Sequence, residues 1–292
     1  MPVDRGSATG IQGSSGRAAS TVGSVTTMES KLLIVGGGRM GGALVQGLLG
    51  AHWSPRDIVV VEPSAERRSE LADELPAVEI RADAAAVTDA EAAVLAVKPA
   101  VGEEACRALS GAPVARVLSI MAGVPLARLE SWLAPSTAVI RAMPNTPATV
   151  GAGVSAIAAG SAAGEADLRW AERLLGAVGH VVRLPEGCLD AVTGLSGSGP
   201  AYVFLVVEAL IEAGVAVGLS REVSRVLATD TLAGAARLLV ESGESAETLR
   251  EQVTSPGGTT EAGLRVLEER GVRAAIAAAV AAATERSRQM AR

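Results

Sequence analysis

An α/β domain with a parallel sheet, followed by an all-helical domain, is the fold class that this 292-residue sequence predicts. Three observations predict it. From Lys31 to about residue 185, short apolar runs alternate with amphipathic stretches, the pattern of strands joined by crossover helices. The first run leads into a glycine-rich turn, VGGGRMGGALVQGLL (35–49), that opens a helix. Beyond Pro185 strand signals vanish and helical patterns continue to the end. The chain is therefore read as a tail over 1–28, an α/β domain over 29–185 and a helical domain over 186–292.

Residues 1–28 are rich in Gly, Ser, Thr and Ala and lack the apolar core of a secretory signal. They are expected to form a disordered tail, with Met28 a second candidate for the start of the functional chain. The runs KLLIVG (31–36), DIVVVEP (57–63), AVEI (77–80), AAVLAVKP (92–99), ARVLSI (115–120) and TAVIRAM (137–143) follow. They show little polar alternation, as expected of strands buried on both faces. Residues 65–75 and 101–109 read as helices between them. GVSAIAAG (153–160) and HVVRLP (180–185) add two more strands around a helix over 163–178. After the boundary, helices are predicted over 187–195, 199–217, 220–242, 245–252, 259–270 and 272–290.

Composition narrows the function classes. The chain is 49% hydrophobic but only 2% aromatic, so its core is built from small and branched aliphatics. A net charge of −6 argues against a nucleic-acid footprint. Two cysteines, Cys106 and Cys188, and two histidines, His52 and His180, offer no metal site or His-based triad. Both cysteines read as small buried hydrophobes, in keeping with a reducing cytoplasmic setting. AYVFLVVEALIEAGVAVGL (201–219) is nearly long enough to cross a bilayer, yet Glu208 and Glu212 lie within it. Burial between helices or between subunits explains it better than a membrane span.

The glycine turn reads G-x-G-x-x-G at Gly36, Gly38 and Gly41, after a strand and before a helix. That is the context of a dinucleotide-binding, Rossmann-type motif, with Arg39 and Met40 inside it. Gly36 permits the turn, Gly38 admits a pyrophosphate, and Gly41 lets helix pack on strand. Glu62 ends the second strand where an acidic residue receives adenosine ribose hydroxyls, which favours NAD. Ser64, Arg67 and Arg68 follow and suit a 2′-phosphate, or equally a solvated helix face. Ala96, Val97, Lys98 and Pro99 close the fourth strand at its ligand-facing end. Lys98 can serve a ligand there or be an exposed lysine before a strand-ending proline.

Three further loops stand out. RAMPNTPATVGAG (141–153) sets two prolines around Asn145 and Thr146. LSGSGPAYVF (195–204) reads as a helix start with Ser198 as N-cap and Pro200 in the first turn. VTSPGGTTEAGLRVLEE (253–269) breaks a helical pattern with Ser255, Pro256, Gly257 and Gly258, then resumes it at about Thr259. The break sets two glycines, Gly257 and Gly258, among the hydroxyls of Thr254, Ser255, Thr259 and Thr260. Leu264 and Leu267 would anchor the resumed helix.

Five pieces in order, IVGGGRMGGAL, LAVKP, RAMPNTP, LSGSGPAY and VTSPGGTTEAGLRVLE, make the sequence resemble pyrroline-5-carboxylate reductases. The resemblance spans residue 31 to about 290 and is most specific in the Ser-Pro-Gly-Gly loop. It implies reduction of the C=N bond of 1-pyrroline-5-carboxylate to L-proline by hydride from NADPH or NADH. It further implies that Ser255, Gly257, Gly258, Thr259 and the Thr260 backbone hold the substrate carboxylate at a helix start, that the Thr260 hydroxyl meets the ring nitrogen, that Asn145 lies by the cofactor, and that a homodimer or larger homo-oligomer builds active sites between subunits. Arg39 and Glu62 depart from the family's usual residues, which leaves cofactor preference open. A β-hydroxyacid dehydrogenase of similar architecture needs a lysine in its helical domain, and none follows Lys98.

Overall fold

The computed structural model describes residues 31–84, 87, 89–109 and 112–290. The tail expected over 1–28 lies outside them. One eight-stranded sheet organises the first part of the chain, in the order β3-β2-β1-β4-β5-β6-β7-β8. The strands are β1 (Lys31–Val35), β2 (Ile58–Val61), β3 (Glu79–Arg81), β4 (Ala90–Leu95), β5 (Arg116–Ser119), β6 (Ala138–Met143), β7 (Gly153–Ala159) and β8 (Gly179–Arg183). All eight coincide with the apolar runs. Neighbours pair in parallel except β6 and β7.

Side-chain alternation explains why these runs are apolar throughout. Leu32 and Ile34 enter one core layer with Leu44, Leu48 and Val60. Leu33 and Val35 point the other way, into a layer with Val59, Leu95 and Val117. The central strands thus bury both faces and leave little room for polar alternation, whereas β3 and β8 at the sheet edges are only partly buried. Helices α1 (Arg39–Gly50), α2 (Ala65–Glu74), α3 (Gly102–Ala108), α4 (Leu126–Trp132) and α5 (Glu165–Gly176) cover the sheet. α4 is an addition to the sequence expectation; at seven residues it is too short for a period to show.

The helical part holds α6 (Leu189–Val192), α7 (Gly199–Ala216), α8 (Arg221–Ser242), α9 (Ala246–Gln252), α10 (Thr259–Glu269) and α11 (Val272–Met290). The break expected before 199 is absent: a π-turn over Thr193–Gly197 joins α6 to α7, with Ser198 N–H donating to Thr193 O at 2.8 Å. Ser198 keeps helical backbone angles and its side chain caps nothing, which corrects its expected role.

The start of this region docks on the sheet, and its last helix returns onto that start. Leu189 belongs to a sheet core layer. Glu186 Oε1 accepts from Arg141 at 2.9 Å and from Leu126 N–H at 2.6 Å. Ser287 donates to Asp190 at 2.6 Å. A Cβ at Gly194 would lie 2.2 Å from Thr284 Oγ1, so only glycine lets α11 come this close.

Between those ends the helices bury little of one another. α7 meets α8 where Gly214 faces Ser224, and Ser224 and Ala228 are the buried residues of α8. α7 has none among the described residues. Leu267 is half exposed in the chain alone, so the expected anchoring of α10 needs something outside it. Cys106 is buried, but Cys188 is exposed, which corrects the reading of both as buried. Burial pushes the Cys106 thiol up to about 11.

Candidate active site

The strand order reverses between β1 and β4, and α/β sheets bind ligands in the crevice beyond such a point. The glycine turn lies there. Gly36 has φ +108°, and a Cβ on it would lie 2.7 Å from Ala96 O. A Cβ on Gly41 would lie 2.0 Å from Gly36 O. Gly38 meets nothing within 4 Å, so its face is open. No side chain caps α1 and no carboxylate sits in its first turn, where Arg39 and Met40 stand. The positive end of that helix is available to an anion.

Glu62, just beyond β2, turns back toward this loop. Its Oε2 accepts Gly37 N–H at 3.0 Å and its Oε1 accepts Ser64 N–H at 2.9 Å. Ser64 in turn caps α2 by accepting Arg67 N–H at 3.3 Å. The Arg67 side chain donates to Gly37 O at 2.8 Å and to Glu70 and Glu74 at 2.8, 2.9 and 3.2 Å. One Arg68 nitrogen donates to Glu62 O at 2.9 Å and to Pro63 O at 2.7 Å. Both arginines thus bind their own chain rather than form a purely solvated face.

Ala96 N–H donates to Val35 O at 2.8 Å and fastens the end of β4 beside β1. Ala96 and Val97 are half-buried, while Lys98 and Pro99 are exposed. An apolar cleft of about 220 Å³ opens at these strand ends, lined by Val35, Val61, Pro63, Val97, Val101 and Ala105 among others. Val101 and Ala105 escaped the sequence reading, because nothing local distinguishes them from ordinary helix residues.

Asn145 follows β6 and is buried. Its amide donates to Ser196 O at 3.2 Å and accepts Val154 N–H at 2.8 Å. It ties three segments together: the RAMPNTP loop, the start of β7 and the π-turn. One amide hydrogen is left over for a ligand. The π-turn hydroxyls also bond inward, Thr193 to Leu189 O and Ser196 to Val192 O.

The second candidate loop lies between α9 and α10. Thr254 closes α9 by donating to Arg250 O at 2.6 Å. Gly257 has φ +72°, a left-handed turn that glycine adopts without strain. Gly258 is the N-cap of α10 and offers no side chain to it. The exposed hydroxyls of Ser255, Thr259 and Thr260 have no hydrogen bond among the described residues. Glu261 was not singled out from sequence, yet its Oε2 accepts Gly257 N–H at 2.7 Å. It occupies one donor that a bound carboxylate would use.

Loop and nucleotide end stand apart in one chain. No hydrogen bond or ion pair joins the segment 253–260 to the sheet domain among the described residues. α10 packs on α11 instead.

Comparison with known proteins places this arrangement. Residues 186–290 match the model for pyrroline-5-carboxylate reductase dimerisation, and residues 31–123 match that for NADP oxidoreductase, coenzyme F420-dependent. A pyrroline-5-carboxylate reductase of Synechocystis is 44% identical over 265 residues, covering 90% of this chain and 99% of its own. One from Mycobacterium tuberculosis is 44% identical over 286 residues, covering 89% and 97%. Among solved structures, the enzyme from Coxiella burnetii superposes with a TM-score of 0.85 at 35% identity, covering 90% and 99%. That from Plasmodium falciparum, with NADP bound, gives 0.78 at 29% identity over 90% and 99%. With glycine turn, strand order and Ser-Pro-Gly-Gly loop all in place, the chain belongs to the pyrroline-5-carboxylate reductase family.

Proposed function

We propose that this protein reduces the C=N bond of 1-pyrroline-5-carboxylate to give L-proline, taking hydride from NADPH or NADH. The observation that carries the reading is the Ser255–Thr260 loop, a left-handed glycine turn ahead of an uncapped helix with three unengaged hydroxyls. Such a loop suits a small carboxylate bearing a ring nitrogen. The N–H groups of Thr259 and Thr260, with the Ser255 hydroxyl, receive the carboxylate at the positive end of α10; Gly257 N–H joins them once Glu261 releases it, while Gly258 N–H stays on Ser255 O and shapes the turn. The Thr260 hydroxyl donates to or accepts from the nitrogen as its protonation changes. A bound reduced nicotinamide would supply the hydride to the imine carbon, and the Thr260 hydroxyl stays hydrogen-bonded to the nitrogen as it gains its proton.

The nucleotide is held at the other end. Gly36, Gly38, Arg39, Met40 and Gly41 receive the pyrophosphate. Glu62 and Ser64 meet the adenosine ribose. Ala96, Val97, Lys98 and Pro99, with Asn145, flank the nicotinamide half. A second copy completes the site. The apolar surface of α7 and α8 forms a homodimer, which brings each Ser255–Thr260 loop to the partner's nucleotide end. The working division of the chain is then a dinucleotide domain to residue 185 and a dimerisation and substrate domain from 186. Glu208 and Glu212 fit a protein interface better than a bilayer, and the setting is cytoplasmic.

The test is loss of reduced-cofactor absorbance on mixing the purified protein with 1-pyrroline-5-carboxylate. Thr260→Ala should lower kcat by roughly one to three powers of ten, the scale of a positioned donor, with the melting temperature unchanged. No turnover by the parent chain overturns the reaction; unchanged kcat in the variant overturns the role of Thr260.

A further inference from the structure

We infer that this chain selects NADH over NADPH, and that the Glu62 carboxylate is the selecting group. The inference deepens the proposed function by choosing between its two cofactors, and it runs against the NADP found in the P. falciparum relative.

The argument starts from donors. A 2′-phosphate brings a second dianionic group to the end of β2 and needs cations or N–H groups there. At that place two backbone N–H groups converge, those of Gly37 and Ser64. Glu62 already accepts both, at 3.0 and 2.9 Å. The nearby cations are largely committed as well. Arg67 is held by Glu70, Glu74 and Gly37 O. Arg68 spends one nitrogen on the carbonyls of Glu62 and Pro63. A 2′-phosphate would meet a fixed carboxylate in place of free donors. A 2′-hydroxyl meets the opposite situation: each Glu62 oxygen uses one lone pair on the backbone and retains another to accept the hydroxyl proton. The two backbone bonds hold the carboxylate in position before the nucleotide arrives, so little ordering is left for binding to supply.

The deciding experiment measures kcat/KM for NADH and NADPH with 1-pyrroline-5-carboxylate. It is paired with calorimetric titration of ADP and of 2′-phospho-ADP in the absence of substrate. The expected result is a preference of about tenfold or more for NADH and for ADP. Equal or stronger use of NADPH, with equal or tighter 2′-phospho-ADP binding, overturns the inference. The titrations read the ribose end alone. If no turnover occurs with either cofactor but ADP still binds tenfold tighter, the reaction fails and the selectivity stands. Glu62→Ser frees the Gly37 and Ser64 N–H groups and should move the ratio toward NADPH by about tenfold. An unmoved ratio in a variant with unchanged melting temperature overturns Glu62 as the selector. Arg39→Ala is the control for the one exposed cation in the glycine turn. It should weaken both cofactors alike, and a loss confined to NADPH overturns the scheme.

Discussion

Two apolar stretches of this molecule have opposite fates. In β1, Leu32, Leu33 and Ile34 are wholly inside, between helices on both faces of the sheet. In α7, the equally apolar Phe204 and Leu205 are 62% and 66% exposed. The described residues include one helix long and apolar enough to cross a membrane, Glu186–Ala216, and none of its apolar window is buried in the chain. Apolarity states that a surface needs covering but not by what. The strand finds its cover in its own chain through short crossovers. The helix finds little, because α8 meets it through small residues, and its remaining face is the one proposed to meet a second copy. Each large aliphatic or aromatic side chain buried there contributes about 1.5–3 kcal/mol. A handful on each subunit of the proposed dimer would offset the loss of freedom on association.

The comparison breaks most sharply at Phe204. Phe204→Glu places an unpaired charge in the proposed interface, a penalty of several kcal/mol. Sedimentation should show monomers where the parent chain is assembled, and activity should be lost with assembly. A variant that stays assembled removes α7 from the interface.

Next comes Ile34→Ala in the sheet, which opens a cavity costing about 2–5 kcal/mol. The drop in melting temperature should be the same at every protein concentration, whereas that of Phe204→Glu should depend on it. If both respond to dilution alike, the two regions form one cooperative unit and the contrast fails.

The smallest effect is expected at the sheet edge, where Lys31 Nζ lies 3.0 Å from Glu79 Oε2. That hydrogen bond first, and Arg81 second, hold the Glu79 carboxyl below its usual value of 4.5. A depressed carboxyl stabilises the fold above its unfolded pKa and loses that contribution as pH falls through the folded value. Both side chains are about a third exposed, so Glu79→Gln should cost under about 1 kcal/mol near neutral pH. Urea unfolding should find the difference vanishing in acid; a difference that persists there means the effect is not ionic.

Much of the candidate site was legible locally. Gly36, Gly38 and Gly41 are spaced by the needs of one turn, and neighbouring β1 was evident from its apolar run. Glu62 could be placed because strands end at loops. Val101, Ala105 and Glu261 could not, since their roles depend on what lies across a cleft or a helical turn from them. Asn145 was legible as unusual but not as a tie between β7 and the π-turn, because its partners are 9 and 51 residues away.

By itself the sequence determined the eight strands, the glycine turn and the loop at Ser255–Thr260. Each of these follows from short-range periodicity or from backbone angles that few residues adopt. Tertiary structure alone decided which apolar faces close within the chain and which stay open. It also decided that Glu62 captures two backbone donors, and that α11 returns to press on Gly194. Those outcomes depend on distances between segments far apart along the chain, which no local pattern encodes.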